Sequence, residues 1–238
     1  MLDWGTKKDY PILIYLIKGK NRVIVVDSGG PDDEWTAKYH PPGHKRAPDM
    51  HPAEVLRANG VNIEDVEILI NTHLHYDHCF NNRLFTKAKI FVQRREMQYA
   101  ISPLPSGVMH YESSQRGMRP SWFEGYERIV PVDGDKTLFP GIRLVTLPGH
   151  TPGLQGVVVQ TAKGRCLIAS DLLNLYENWL GNAVYRHIPG GNHHRLEDYY
   201  TSYEKVRMVC DYILPSHDPK IFDDEYTCWV SDSREDRI

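Results

Sequence analysis

Within six residues the chain places His73, His75, Asp77 and His78, in the string His73-Leu74-His75-Tyr76-Asp77-His78, directly after the apolar run Val66 to Ile70. Imidazole and carboxylate at that density are the donors a first-row divalent metal takes, with no thiolate required. The spacing is too tight for one tetrahedral ion. In an extended turn His73 and His75 point to one side while Asp77 and His78 point to the other, an arrangement that feeds two adjacent metals. A two-metal site needs about seven donors, so the others must lie downstream. Three residues qualify by type and by place: His150 after Val145 to Gly149, Asp171 after Cys166 to Ser170, and His217 after Tyr212 to Ser216. Each follows an apolar, strand-like run. Strand ends that converge on one edge of a sheet set their loops side by side, where layered folds build sites.

The elements that must position these residues are legible in outline. Ile12 to Ile17 and Arg22 to Val26 read as a hairpin turning on Lys18-Gly19-Lys20-Asn21, and it carries Asp27 to the same edge. From Pro31 to Met50 the composition shifts to Pro, Lys, Arg, His and Asp, which predicts an irregular loop; Trp35, Tyr39, His40 and His44 make it a candidate substrate cover. Pro52 opens a helix that Gly60 stops, and Glu67 to Ile70 is the strand delivering the histidine string. Lys89 to Val92 reads as a strand and Arg94 to Ile101 as a helix, an alternation that argues for a layered α/β arrangement. Residues 102–124 are punctuated by Pro103, Pro105, Gly107, Gly117 and Pro120, with Tyr111, Trp122 and Phe123 as candidate walls of an apolar pocket.

The short β runs Ile129 to Val132, Gly141 to Thr146 and Gln155 to Gln160 are expected to form a second sheet. Leu196 to Val209 carries Tyr199, Tyr203, Val206 and Val209 at helical spacing, a core face. Pro189-Gly190-Gly191 lacks the spacing of a phosphate loop, and the charged tail Ser231 to Ile238 is expected to be mobile.

At 238 residues the chain fits one large domain, residues 1–238, with irregular insertions near 31–50 and 102–124. A net charge of −3, spread rather than blocked, leaves no electrostatic footprint for nucleic acid. No apolar stretch spans a bilayer and no signal-like leader is present, so no membrane partner is expected. Cys79, Cys166, Cys210 and Cys228 have no C-x-x-C spacing, which favours reduced thiols and a cytoplasmic setting. No G-x-S-x-G occurs to support a serine nucleophile.

His73-x-His75-x-Asp77-His78, then Pro148-Gly149-His150-Thr151-Pro152-Gly153, Ser170-Asp171 and Ser216-His217-Asp218, resemble the ordered motifs of the metallo-β-lactamase superfamily over most of the chain. The resemblance implies a four-layer αββα sandwich of two mixed sheets with helices outside. It also implies two divalent ions, zinc being expected: one held by His73, His75 and His150, a second by Asp77, His78 and His217, with Asp171 bridging. Val25-Val26-Asp27-Ser28-Gly29-Gly30 resembles the family's early strand and turn, whose Asp orients a ligand histidine. The family usually has a strand ahead of this one, and the residues before Pro11 barely provide it. The start is expected to be internal or this edge reduced.

Within the superfamily the chain is most similar to the N-acyl homoserine lactonases, which implies opening of a lactone or related ester in a small-molecule substrate, a quorum-quenching activity. Metals held there would lower the pKa of water to about 7 and supply a hydroxide to the carbonyl, with Asp77 expected as both donor and orienting group. The lactonases place a Tyr three residues after the bridging Asp, where this chain has Asn174. Acid help to the leaving group is therefore expected from Tyr176, from a histidine such as His187, or from the metal alone. Phe80, where they carry a small residue, should crowd one side of the pocket. A thioesterase of the hydroxyacylglutathione type shares the ligand set and would use basic groups such as Lys45, Arg46 and Arg186. A di-iron oxidoreductase usually has Glu in place of His75. A metal-stabilised binding protein is the non-catalytic alternative.

Overall fold

The computed structural model describes residues 9–40, 44–112 and 117–232. Two sheets stack face to face. The first, in the order β1-β2-β3-β4-β5, contains Tyr15–Lys18, Val23–Val26, Ile68–Ile70, Lys89–Gln93 and Ile129–Val132. Here β1 pairs antiparallel with β2, and β2 through β5 run parallel. The second has the order β11-β10-β9-β8-β7-β6, from Cys228–Trp229, Tyr212–Pro215, Gly164–Ser170, Gln155–Thr161, Ile142–Thr146 and Lys136–Phe139. It is an antiparallel meander except where β9 and β10 run parallel.

Alternation along the strands makes the layers, because successive side chains point to opposite faces. Ile24, Val26, Ile68 and Ile70 face Ile142, Leu144, Val157 and Ile168 across the space between the sheets. Val25, Leu69 and Ile90, on the opposite face of the first sheet, are covered by Leu56 of α2 (Pro52–Ala58). Val145, Leu167, Ala169 and Ile213, on the outer face of the second, are covered by Tyr199, Tyr203, Val206 and Val209 of α6 (Leu196–Val209). Helix, sheet, sheet and helix therefore follow in order, the mixed-sheet α/β sandwich that the sequence predicts.

The hairpin, α2, the β4–α4 unit with α4 at Arg94–Ile101, and α6 fall where the sequence places them. Three expectations change. The 31–50 stretch is not wholly irregular: Asp33–Tyr39 is a helix, α1. Asp32 caps it by accepting from the Trp35 amide, Asp33 and Glu34 occupy its first turn and Lys38 its last, the charge order that suits a helix dipole. β5 belongs to the first sheet, paired parallel with β4, and not to the second. The turn after it is clasped by Gln93, whose amide donates to the Gly134 carbonyl and accepts from the Gly134 amide. β6 was not anticipated as a strand. Residues 102–124 remain irregular where described, carrying only short 3-10 turns at Pro105–Gly107 and Ser121–Phe123. The expectation for the tail from 233 onward lies outside the described residues.

Candidate metal centre

The strands β2, β3, β7, β9 and β10 all end at one edge, and the loops leaving them hold Asp27, the His73–His78 string, His150, Asp171 and His217. Parallel pairing of β2 with β3 and of β9 with β10 enforces this, since parallel neighbours bring like ends together. Two of these strand ends carry non-glycine residues with left-handed backbone, Asp27 at φ 59° and Ser170 at φ 51°. Such conformations concentrate where surrounding structure over-determines them.

His75 itself has extended backbone, φ −68° and ψ 150°, and the expected extended turn stops there. A helical turn, α3 (Tyr76–Cys79), follows and presents Asp77 and His78. Potential ligand atoms of His73, His75 and His150 lie within 4.8 Å of one another, as do those of Asp77, His78 and His217, and those of His73, His78 and Asp171. His75 Nδ1 and His150 Nε2 face each other at 3.0 Å. Asp171 reaches toward both groups: Oδ1 is 3.1 Å from His78 Nε2 and 3.3 Å from His217 Nε2, and Oδ2 is 3.4 Å from His150 Nε2. Asp77 Oδ2 lies 3.7 Å from His78 Nε2 and 3.8 Å from His217 Nε2.

These donors fit divalent metals. Tetrahedral bonds of about 2.0–2.1 Å imply donor–donor edges of about 3.3 Å, close to the spacings observed. His73 Nε2, His78 Nε2 and Asp171 Oδ1 are buried without a hydrogen-bond partner, although such groups are normally paired. The His78–Asp171 pair is close but misaligned for a hydrogen bond. The outward nitrogens are held: His78 Nδ1 pairs with Asp27 Oδ2 at 2.8 Å, His150 Nδ1 with the Asn192 carbonyl at 2.8 Å, and His217 Nδ1 with the Pro11 carbonyl at 2.8 Å. That fixes which nitrogen turns inward, the usual device at metal-binding histidines.

Charge is distributed to match. Burial pushes His73, His75 and His150 below the ordinary imidazole range, the neutral form a metal requires. Burial acts the same way on His78, but Asp171, Asp77 and Asp27 together outweigh it and raise its value; Asp171 does so for His217. Burial alone would raise Asp171, yet His78, His217 and His150 hold its carboxyl well below the usual range.

The turn Asp27-Ser28-Gly29-Gly30 is bound to the string by more than Asp27. Asn81 donates to the carbonyls of Ser28, Gly29 and Gly30, and the Asp27 carboxylate accepts from both the amide and the hydroxyl of Thr72. On the open side α1 packs over α3. Trp35 meets Phe80 edge-on with ring centroids 4.9 Å apart, and His40 lies 3.9 Å from Tyr76. The cover expected from Trp35 and His40 is thus beside the donors, and His44 hydrogen-bonds the Pro31 carbonyl nearby. Phe80 presses against α1 at this wall.

Not every candidate arrives. Tyr176, on α5 (Tyr176–Leu180), is buried in the cluster outside the second sheet, its ring 4.8 Å from Tyr226. The Tyr176 amide is tied to Asp218, and its ring packs in the outer cluster rather than among the seven donors. His187 stacks on Trp179 and pairs with Arg207, also away from the centre; burial lowers its pKa to about 4. Asn174 does reach the site, its amide donating to Asp171 Oδ2 at 3.2 Å. Arg46 spends its guanidinium on the Gly30 carbonyl, while Lys45 and Arg186 are exposed, so the basic groups considered for a thioester's carboxylates do not gather on the donors. Tyr111 and Trp122 pack in a core cluster with Leu74 and Cys79, and Phe123 stacks on Tyr126. All four cysteines are free and buried. Among the described residues no helix is long and apolar enough to cross a membrane.

Two neighbours of the donors, His110 and Glu96, carry no signal in the sequence, whereas Tyr111, expected as a pocket wall, does stand beside them. His110, half-buried, sets its ring 5.0 Å from that of His75. Tyr111 lies 4.5 Å from the same ring. Glu96, fully buried, hydrogen-bonds both Tyr111 and Thr151. A carboxylate on an amphipathic helix gives no sign in sequence that it will be buried.

A mixed-sheet αββα sandwich with histidines and aspartates gathered at its strand ends defines a metal-dependent hydrolase. The chain belongs to the metallo-beta-lactamase superfamily, whose family model matches residues 8–217. Among curated relatives, an N-acyl homoserine lactonase of Bacillus sp is 29% identical over 74% of this chain and 69% of its own length. An N-acyl homoserine lactonase AttM of Azorhizobium caulinodans is 27% identical over 92% and 86%. Among solved structures, an N-acyl homoserine lactone hydrolase with the product N-hexanoyl-L-homoserine at its catalytic metal centre superposes with a TM-score of 0.70 at 23% identity, covering 90% of this chain and 84% of that one. AidC, a dizinc quorum-quenching lactonase, gives 0.66 at 19% identity over 88% and 73%.

Proposed function

We propose that the protein is a dinuclear metal hydrolase that opens the ring of an N-acyl homoserine lactone or a closely related ester. The observation that carries this is the pairing of a three-histidine group, His73, His75 and His150, with an Asp77–His78–His217 group through the two oxygens of Asp171. Support comes from curated relatives named as lactonases that align along most of their length. Two divalent ions, zinc by the nitrogen-rich donor set, would supply a hydroxide near neutral pH and a Lewis acid for the carbonyl.

The chain's own residues do the rest. Asp77 is the most open carboxylate of the set, its side chain 20% exposed against 7% for Asp171, so it faces the incoming ester and orients the nucleophile. Asn174 holds Asp171 by one oxygen, fixing the tilt of the shared carboxylate. An amide has no proton to release as a phenol does, so Asn174 stabilises without acting as an acid. Trp35, Tyr76 and Phe80 give the mouth an apolar wall suited to an acyl chain and exclude water from that side.

The test is a panel of acyl homoserine lactones, simple lactones, glutathione thioesters and β-lactams, assayed with metal-quantified protein before chelation, after it, and after metal is restored. Lactone opening should vanish with the metal and return with it. Thioester turnover without lactone opening would refute the assignment.

A further inference from the structure

Of the buried carboxylates outside the seven donors, Asp27 and Glu96 fasten the loops that carry those donors. Asp27 fastens His78, of the second group. Glu96, near the start of α4, touches no donor side chain. Its Oε1 accepts from the Leu74 amide at 3.1 Å and the Tyr111 hydroxyl at 2.6 Å. Its Oε2 accepts from the Thr151 hydroxyl at 2.6 Å and the Gly153 amide at 3.2 Å. An ionised carboxylate offers about four acceptor sites, so all are used. Leu74 lies between His73 and His75, whereas Thr151 and Gly153 belong to the turn that follows His150. One oxygen therefore holds each half of the three-histidine group. The contact is tight: a Cβ added to Gly153 would lie 2.2 Å from the backbone nitrogen of Glu96.

We infer that Glu96 is a positioning residue that sets the distance between the His73–His75 loop and the His150 turn, and so controls metal affinity at the three-histidine group selectively. The inference rests on the two-metal reading above. The Asp77–His78–His217 group does not depend on Glu96, because its histidines are anchored by Asp27 and the Pro11 carbonyl. Both oxygens of the carboxylate must accept. A glutamine in its place has one accepting oxygen and one amide that only donates. The hydroxyls of Tyr111 and Thr151 can rotate to accept from that amide, but the Leu74 and Gly153 amides cannot. Whichever way the glutamine lies, one backbone N–H faces a donor and its loop must shift.

The test is stepwise chelator competition on the zinc-loaded protein, read as ions released per chain, with His150→Ala and His217→Ala assigning each release step to its group. Glu96→Gln should release the ion of the three-histidine group at about 10 to 100-fold weaker chelation, the usual scale for groups behind the ligands, with the other step unmoved. Thr151→Val, which removes one of the four donors, should shift the same step by less, and Thr151→Ser should restore it; this pair decides the matter should Glu96→Gln not fold. Release steps that coincide with wild type, or that move together, would overturn the inference. A wild-type protein that takes up no zinc would instead overturn the two-metal reading, so the two failures are distinct.

Discussion

Asp27→Asn separates the role of the Asp27 carboxylate from that of its backbone. Asp27 has φ 59°, and Asn is with Asp among the residues that tolerate left-handed backbone, so the turn survives the exchange. What changes is hydrogen bonding. The carboxylate accepts from the Thr72 amide at 2.7 Å and the Thr72 hydroxyl at 2.8 Å, and pairs with His78 Nδ1 at 2.8 Å. If the asparagine oxygen serves Thr72, its amide nitrogen faces His78 Nδ1 and must donate. Nδ1 then has to be bare, which places the imidazole proton on Nε2, the nitrogen 3.1 Å from Asp171 that a metal needs free. Loss of such a partner weakens metal binding about 10 to 100-fold, or about 1.4–2.8 kcal/mol. The metal-free protein should lose about 1–3 kcal/mol from the imperfectly paired buried groups, which at about 2–4 °C per kcal/mol lowers Tm by about 2–12 °C. Chelator competition and thermal melting with and without zinc read the two effects separately. Unchanged metal affinity with a lowered Tm would refute the tautomer argument and leave Asp27 a structural turn residue.

Metal analysis of the purified protein should find about two ions per chain, since seven donors exceed what one tetrahedral ion uses, and His150→Ala and His217→Ala should each empty a different position. One ion in the wild type, with His217→Ala leaving it in place, would remove the dinuclear reading. Tyr176→Phe should slow an alkyl lactone and an activated aryl ester equally and little, because its ring packs on Tyr226. A selective loss of about 10² to 10⁴-fold on the alkyl lactone, the size expected of a general acid, would show that the tyrosine reaches the substrate after all.

The convergence of the seven candidate ligands is legible because their types are distinctive and their places are local: each follows an apolar run whose length reads as a strand. α4 and α6 were legible for the same reason, through periodicity within one segment. What was not legible depends on partners far along the chain. β5 has the same short β pattern as its successors, and nothing in Ile129–Val132 says that it will pair with β4. α1 carries its cap and charge order in plain view, but the side chains that dock it are aromatics meeting Phe80 and Tyr76, without an aliphatic stripe to betray a helix. Tyr176 stands beside the Asp171 loop in sequence, yet the bond from its amide to Asp218 starts α5 with the ring turned into the outer core.

Glu96 shows why ligand motifs describe only part of such a centre. Its partners lie 22 and 55 residues away, at Leu74 and Thr151, and only the packing of α4 against the His150 turn brings them together. Across the same edge, Ser170 donates to Thr72 and Thr72 to Asp27, a chain of hydroxyls that ties the end of β9 to the end of β2. Asp27 and Ser170, the ends of that chain, both have left-handed backbone, a strain of about 1–3 kcal/mol each that persists only where surrounding bonds fix it. The sheets are thus joined at the site by bonds that do not involve the donors. Asp171 leaves β9 one residue after Ser170, so this cross-link sets where the shared carboxylate stands relative to His78. The geometry at the second group follows from Asp27 and Ser170 as much as from the residues that would bind the ion.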